Sequence, residues 1–501
     1  MSDQKRYRIA LLALFLCLAD LAFAGAWPVD REWNSAEEDS YSEWIVGLGK
    51  KQWSSADSML HDQGANSLLD TNDSHLRFRA DCGDLPYLLR AYYAYKRRLP
   101  MILNQVDGGN YSPTPNRTIS QTDNLSFEGD VKGFFSTLPD LVNTANLRID
   151  PNDPNSAVYP IQIDREHLRP GTVFYDPNGH AAVVSGIKAD GSISLIDAHP
   201  DQSVTRITFG EKLNWRSASH LGGFLAFRPI VLDRGSVAYK HQKSELPGFS
   251  LEQHAFGADY HLQVQMRLAT EKIDPVRDLE NYIRNDTYQE LKDRVAAVER
   301  GWQLGKATAI PVPRNIYYCT GAWEDFATPG RDIRLRISFL AIPKRVSGYL
   351  KLAKSQPERL VERARDPQSL FEELAATQRK MFANLMIHYT NSQGIRVPLT
   401  LTEIEERLFD LSFDPNHPPE LRWGATGKEL GSAPRDRPRY HANYELQQYW
   451  RNRLEHRSGT MFPSDDGNPR SPPEHDISAM IDRLGPAGLP RAIPVRSPDR
   501  N

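Results

Sequence analysis

The chain has 501 residues, of which 40% are hydrophobic and 25% are charged, and its formal net charge is −3. This length accommodates two or three domains, and the composition is that of an ordinary globular protein rather than of a disordered or fibrous chain. A charge balance so close to neutral, without a dense basic run, argues against nucleic acid as a partner.

The first 24 residues have the composition of a secretory signal. A basic segment, MSDQKRYR, precedes an apolar stretch, which Asp20 interrupts, and small residues follow at Ala22, Ala24 and Ala26. The apolar stretch is too short for a membrane span. We therefore expect residues 1–24 to be a signal peptide, with a short N-terminal anchor as the alternative. The protein would be exported, to the periplasm or the medium, with no stable membrane span after cleavage.

Two cysteines, Cys82 and Cys319, would remain after signal cleavage. Two cysteines are too few for a disulfide scaffold in an exported protein, so they either form one bridge or keep thiols for chemistry. Cys319 has aromatic neighbours and no nearby histidine in the sequence, which favours a buried thiol.

Three regions follow the predicted signal. Residues 27–235 mix short helical and strand patterns with long polar loops at 104–126 and 150–160. The pattern of residues 250–425 predicts a mainly helical accessory domain. The pattern of residues 430–501 predicts one helix followed by a loose Pro- and Arg-rich tail.

Within the helical region, Asp-Pro pairs predict helix starts at Asp274 and Asp366. Thr400 and Glu403 form the pattern of a capping box. The alternating segment 331–342, RDIRLRISFLAI, predicts a strand between the helices.

A helix is predicted to begin just after Cys82. Its apolar positions follow helical spacing, and they are Leu85, Leu88, Leu89, Tyr92 and Tyr95. Asp81 or Asp84 is suited to cap it. A thiol at the positive end of a helix dipole ionises more readily than an ordinary one. Cys82 is therefore a candidate nucleophile; the alternative is a buried cysteine that acts as a small hydrophobic side chain.

The stretch HAAVVSGIKADGSISLIDAHP, residues 180–200, predicts a β-hairpin that reverses at Asp-Gly. If its arms pair symmetrically, His180 lies near residues 197–200 of the returning arm. Side chains alternate along a strand, so His180 shares a face with Asp197 or His199, and both have the same parity. The pattern thus predicts an imidazole beside an orienting group, which a nucleophilic thiol requires. A polar, solvated hairpin end is the alternative.

This order of residues resembles the papain-like cysteine peptidases, and more narrowly the bacterial cell-wall hydrolases of NlpC type. The likeness covers roughly residues 78–230, where a cysteine preceded by Asp81 opens a helix. A strand (169–175) precedes a histidine that opens the next strand, and segment 221–230 would be the closing strand. Gly83 and Asp84 stand where the family usually has Ser and Gly.

The resemblance implies an α+β, papain-like catalytic domain followed by the helical accessory domain. It implies Cys82 as nucleophile, His180 as general base and acid, and Asp197 as orienting residue, with His199 as the alternative orienter. The expected activity is hydrolysis of an amide in a peptide or peptidoglycan-type substrate, without cofactor or metal. A transferase that uses the same residues, and a non-catalytic binding protein on a degenerate papain-like fold, are the alternatives.

Overall fold

The computed structural model describes residues 25–434, except for 108–116, 149, 151–152, 177–179, 200–201, 212, 214–221, 234–235, 257–258, 308–309, 311–325, 327–328, 409 and 413. The predicted signal peptide, Cys319 and the C-terminal helix and tail lie outside the described residues.

The elements are numbered in chain order. The helices are α1 (Ser35–Leu48), α2 (Ala56–Leu60), α3 (Asp84–Arg97), α4 (Val131–Leu141), α5 (Tyr260–Leu268), α6 (Pro275–Tyr282), α7 (Tyr288–Ala307), α8 (Pro329–Ser355), α9 (Pro367–Asn384), α10 (Leu401–Arg407), α11 (Pro419–Arg422) and α12 (Gly427–Gly431). The strands are β1 (Ile102–Asp107), β2 (Arg117–Asp123), β3 (Val158–Pro160), β4 (Val173–Asp176), β5 (His180–Ile187), β6 (Ile193–Ala198), β7 (Val204–Thr208), β8 (Gly223–Phe227), β9 (Ile230–Asp233), β10 (Ser236–Tyr239), β11 (Met386–Thr390) and β12 (Arg396–Thr400). The chain is mixed α and β with antiparallel sheets, compatible with the α+β class.

A six-stranded antiparallel sheet, in the order β3-β8-β4-β5-β6-β7, forms the centre of the N-terminal region. Both faces of its central strands are buried. In β5, Ala181 and Val183 belong to one hydrophobic core, whereas Ala182 and Val184 belong to another. This explains why the middle of the hairpin is a continuous apolar run, since a strand covered on both faces needs no polar alternation.

Helices cover the two faces of the sheet. Helices α1, α3 and α4 pack with the first core, which is rich in aromatic side chains. Helix α5 contributes Tyr260, Val264 and Leu268 to the second core. The core of the N-terminal region therefore extends beyond residue 235 to include α5.

The helical region begins as its sequence predicts. The Asp274 side chain caps α6 and the Asp366 side chain caps α9, each with proline at the helix start. The capping box of Thr400 and Glu403 opens α10. A π-helical turn, Ile283–Thr287, joins α6 to α7.

The predicted strand at 331–342 is wrong, because these residues lie within helix α8. Its buried residues Leu335, Phe339 and Ile342 follow helical spacing, which overrides the alternation of arginine with apolar residues. The β element of this region is instead the hairpin of β11 and β12. The helix that Asp366 caps ends at Asn384, and Met386–Thr390 form β11.

The two predicted loops also contain strands. Residues 104–126 include most of β1 and all of β2. The two strands are antiparallel, with Ile102 opposite Asp123. Residues 150–160 end in β3, which pairs with β8. The expected closing strand at 221–230 is β8, which lies between β3 and β4. Among the described helices, none has the length and apolar content that a bilayer span requires.

Candidate functional site

Cys82 lies in the turn that leads into α3. The Asp81 carboxylate accepts hydrogen bonds from the backbone N–H groups of Gly83 (2.8 Å) and Asp84 (3.2 Å). The Asp84 carboxyl in return accepts one from the Asp81 N–H (3.1 Å), and Leu85 N–H donates to Asp81 C=O (3.0 Å). These reciprocal bonds continue the helical turn back to Asp81, so Cys82 lies at the positive end of the helix as predicted.

Gly83 is required by a close backbone contact. A Cβ atom at this position would lie 2.4 Å from the backbone nitrogen of Thr144, in a 3₁₀ turn (Thr144–Leu147). A side chain of any size would push the two segments apart. Position 83 therefore accommodates glycine but not a residue with a side chain.

The predicted hairpin of β5 and β6 is confirmed, and its register arranges the histidines. Val183 pairs with Ile196, so continuing that register places Ala182 opposite Asp197 and His180 opposite His199. Asp197 is thus the diagonal neighbour of His180 on the same face, a position within reach of a long side chain. On the other side of β6, Thr205 of β7 pairs directly with Asp197.

His180 and Asp197 form the central hydrogen bond of the site. The Nε2 atom of His180 lies 3.0 Å from Oδ2 of Asp197, whose side chain is 3% exposed. Asp197 also accepts a hydrogen bond at Oδ1 from the Thr205 hydroxyl. Of the two orienting residues that the sequence left open, the structure gives Asp197 the direct contact with His180.

His199 lies beside this pair. Its Nε2 is 3.1 Å from the Thr205 hydroxyl oxygen and 3.6 Å from Oδ2 of Asp197. Its ring stacks on that of His180, with centroids 6.1 Å apart and planes 18° from parallel. His199 therefore lies close to the Asp197 carboxylate, and His180 makes the shorter contact with it.

The thiol of Cys82 hydrogen-bonds with His180. Desolvation lowers the pKa of His180, but hydrogen bonds with Asp197 and Cys82 and the charges of both outweigh it and raise the pKa to about 10. Because Nε2 of His180 points to Asp197, Nδ1 is the ring nitrogen left to face the thiol. The structure thus brings Cys82, His180 and Asp197 together in one chain of hydrogen bonds.

Asp197 remains ionised at neutral pH. Its burial alone would raise the pKa, but the charge of His199, the hydrogen bond and charge of His180, and the Thr205 hydroxyl lower the pKa well below its usual range. A buried carboxylate with these partners is suited to hold an imidazolium beside it.

Asp84 and Thr205 are the residues that sequence reasoning missed. The sequence pattern identifies Asp84 only as a possible helix cap, whereas burial, and next the charge of Asp81, raise the pKa of its carboxyl to about 8. The close pairing of two aspartates around the cysteine was visible in the sequence. The contact of Thr205 depends on the β6–β7 register, for which no local pattern was available.

A cavity of about 650 Å³ lies elsewhere, and its described lining does not include Cys82, His180 or Asp197. Arg90 on its wall pairs with Glu38 and stacks on Trp33, and Arg169 pairs with Asp39 (2.7 Å). These internal pairs account for much of the charge on its wall.

In the described part of the chain, no group of three or more histidine, cysteine or acidic side chains is arranged to hold a metal ion. Within residues 61–75, Asp62 pairs with Lys51, and Asp70 and Asp73 pair with Lys96.

The geometry has the three parts of covalent acyl-transfer catalysis, namely a thiol, an imidazole that contacts it and a carboxylate that orients the imidazole. Comparison of the chain with family models, with curated proteins and with solved structures finds no match in any of the three.

Proposed function

We propose that this chain is an exported thiol hydrolase of papain-like type, nearest to the NlpC-type cell-wall enzymes, that cleaves an amide bond. The observation that carries the proposal is the position of His180, which hydrogen-bonds with Cys82 on one side and with Asp197 on the other. Burial of a carboxylate costs free energy, so a purely structural role in holding a partly buried histidine would not account for Asp197.

The reaction would proceed through a thioester. The Cys82 thiolate attacks the carbonyl carbon of the amide, and the imidazolium of His180 gives its proton to the departing amine nitrogen as the C–N bond breaks. Water then attacks the thioester carbon and gives a proton to His180, and the C–S bond breaks to release the carboxylic acid. Asp197 stabilises the imidazolium in both halves of the cycle.

Two features bear on the competing interpretations. The hydrogen bond between Cys82 and His180 supports catalysis over a binding protein on a degenerate scaffold, since such a protein has no need of that contact. A transferase would share the same geometry and differ only in the acceptor that resolves the thioester. The proposal of a peptide-type amide in peptidoglycan as substrate rests on the resemblance of residues 78–230 to the NlpC-type enzymes.

The test uses purified protein and a panel of cell-wall peptide fragments. Cys82→Ala should lose at least about 100-fold in amide hydrolysis, as loss of a covalent nucleophile does, while the control Cys319→Ala keeps the wild-type rate. Full activity in Cys82→Ala would overturn the proposal. Products formed with and without an added amine separate the two enzymes, since a hydrolase releases mainly the free acid in both cases, whereas a transferase yields mainly the new amide.

A further inference from the structure

Two imidazoles lie within reach of one carboxylate oxygen. Oδ2 of Asp197 is 3.0 Å from Nε2 of His180 and 3.6 Å from Nε2 of His199. The two rings approach the carboxylate side by side, as their nearly parallel stacking shows. The distance from Oδ2 to His199 is only 0.6 Å longer than the distance to His180. His199 is therefore close enough to compete with His180, which contacts the thiol, for the same oxygen.

The Thr205 hydroxyl contacts both His199 and the carboxylate of Asp197. A threonine hydroxyl has a single proton to donate. Thr205 donates that proton to Oδ1 of Asp197, so its oxygen acts as acceptor toward Nε2 of His199, 3.1 Å away. His199 must therefore carry its proton on Nε2 and donate it to Thr205.

The pairing of β6 with β7 fixes the positions of Asp197 and Thr205 relative to each other. Asp197 and Thr205 are directly paired residues of β6 and β7, so their side chains leave the same face of the sheet about 5 Å apart. A hydroxyl on a β-branched residue has few rotamers to sample, which lowers the entropy cost of holding it on the carboxylate.

We propose that Thr205 is a positioning residue that keeps Asp197 paired with His180 by engaging both the second carboxylate oxygen and the Nε2 proton of His199. Without the hydroxyl, His199 would donate directly to Asp197 and draw the carboxylate away from His180. The proposal rests on the proposed function in that His180 serves Cys82. It assigns a role to Thr205 and a competing role to His199.

The test is the pH dependence of Cys82 alkylation by iodoacetamide, followed on the Cys82 peptide by mass spectrometry. Thr205→Val removes the hydroxyl and keeps the shape, so the rate at pH 6 should fall about tenfold relative to the rate at pH 9. In Thr205→Val/His199→Phe the competitor can no longer donate, and the pH 6 rate should recover to within about threefold of wild type. Alkylation of Thr205→Ser at pH 6 should also stay within about threefold of the wild-type rate, because serine keeps the hydroxyl.

The control is Thr208→Val, at the other end of β7, which should leave the profile unchanged. A double variant as slow as Thr205→Val, or a Thr205→Val profile equal to that of wild type, would overturn the proposal. Should Thr205→Val not fold, ¹⁵N-histidine NMR of the wild-type protein decides: an Nε2–H tautomer on neutral His199 supports the proposal, and an Nδ1–H tautomer contradicts it. None of these measurements requires a hydrolysed substrate, so failure of the hydrolase proposal would be recognised separately.

Discussion

The backbones of Gly83 and Thr144 approach each other closely, where the turn that carries Cys82 packs against the 3₁₀ turn Thr144–Leu147. The φ angle of Gly83 is −74°, an ordinary value for any residue, so glycine is needed for space alone. A Cβ atom would lie 2.4 Å from the nitrogen of Thr144.

Gly83→Ser should therefore both destabilise the protein and displace the thiol. We expect a loss of about 1–3 kcal/mol in the free energy of unfolding, as overpacking costs, measured by urea denaturation. Cys82 alkylation at pH 6 should also fall at least about tenfold. Gly186→Ala is the matched control, since a Cβ there would meet no atom within 4 Å. An unchanged alkylation rate in Gly83→Ser would contradict this account of the turn.

The raised pKa of His180 predicts an alkaline limit for activity. Desolvation opposes the protonated form, but Asp197 and Cys82 raise the pKa to about 10. The imidazolium therefore persists well above the ordinary histidine value near 6.5, and hydrolysis should decline only as the pH approaches 10. The corresponding stability is fully present below pH 6.5 and is lost as the pH rises through 10.

Asp197→Asn tests the source of that limit. Removal of the charge should move the alkaline decline of kcat/KM down by at least about one pH unit, because the imidazolium loses its ionised partner. Asp190→Asn, in the hairpin turn where Asp190 binds Ser192, is the control. A decline that stays near pH 10 in Asp197→Asn would mean that Asp197 is not the group that supports His180.

Asp84 predicts a loss of stability over a lower range of pH than His180 does. Burial and the charge of Asp81 raise its pKa to about 8, above the unfolded value near 4. The protein therefore loses stability as the pH rises from 4 to 8, since the folded state retains a proton that the unfolded state releases. Asp84→Asn, which stays neutral, should be more stable than wild type at pH 8 by several kcal/mol, because each unit of pKa shift corresponds to about 1.4 kcal/mol.

At pH 4 that advantage should be nearly absent, and urea denaturation at the two pH values measures it. Asp130→Asn replaces an exposed helix cap and serves as the control. An Asp84→Asn variant with the same relative stability at both pH values would show that Asp84 is not a buried acid in the folded protein.

Arg345 links the helical region to the sheet region. Its guanidinium pairs with Glu211 (2.8 Å) and with Asp278 (2.6 Å), and all three side chains are largely buried. Arg345→Ala would leave two buried carboxylates without their cation, which costs about 3–5 kcal/mol. Arg363→Ala, which breaks exposed pairs with Asp274 and Glu373, should cost at most about 1 kcal/mol. Thermal and urea unfolding distinguish the two, and equal losses would contradict the prediction.

The parts of the fold that local chemistry determines were predictable. The β5–β6 hairpin follows from two apolar arms around Asp-Gly, and the starts of α6, α9 and α10 follow from their caps. The approach of His180 to Asp197 does not follow from the turn alone, because the register shifts by one residue between Val184 and Gly186, and this shift places Asp197 on the same face as His180.

What the sequence could not reveal depends on contacts between distant segments. Thr205 joins the site through the pairing of β7 with β6, and Gly83 through packing against residues 143–144. Helix α8 has an alternating pattern that favours a strand locally, and only burial of Leu335, Phe339 and Ile342 against other helices makes it helical. Tertiary packing decides such segments against their local preference.

The pairing of Cys82 with His180 is tested most directly by the rate of Cys82 alkylation with iodoacetamide from pH 4 to 10, in the wild-type protein and in His180→Asn. We predict that at pH 6 the wild-type thiol is alkylated at least about tenfold faster than the thiol of His180→Asn, because the imidazole that contacts it is removed in the variant. Equal rates in the two proteins would contradict the pairing of Cys82 with His180.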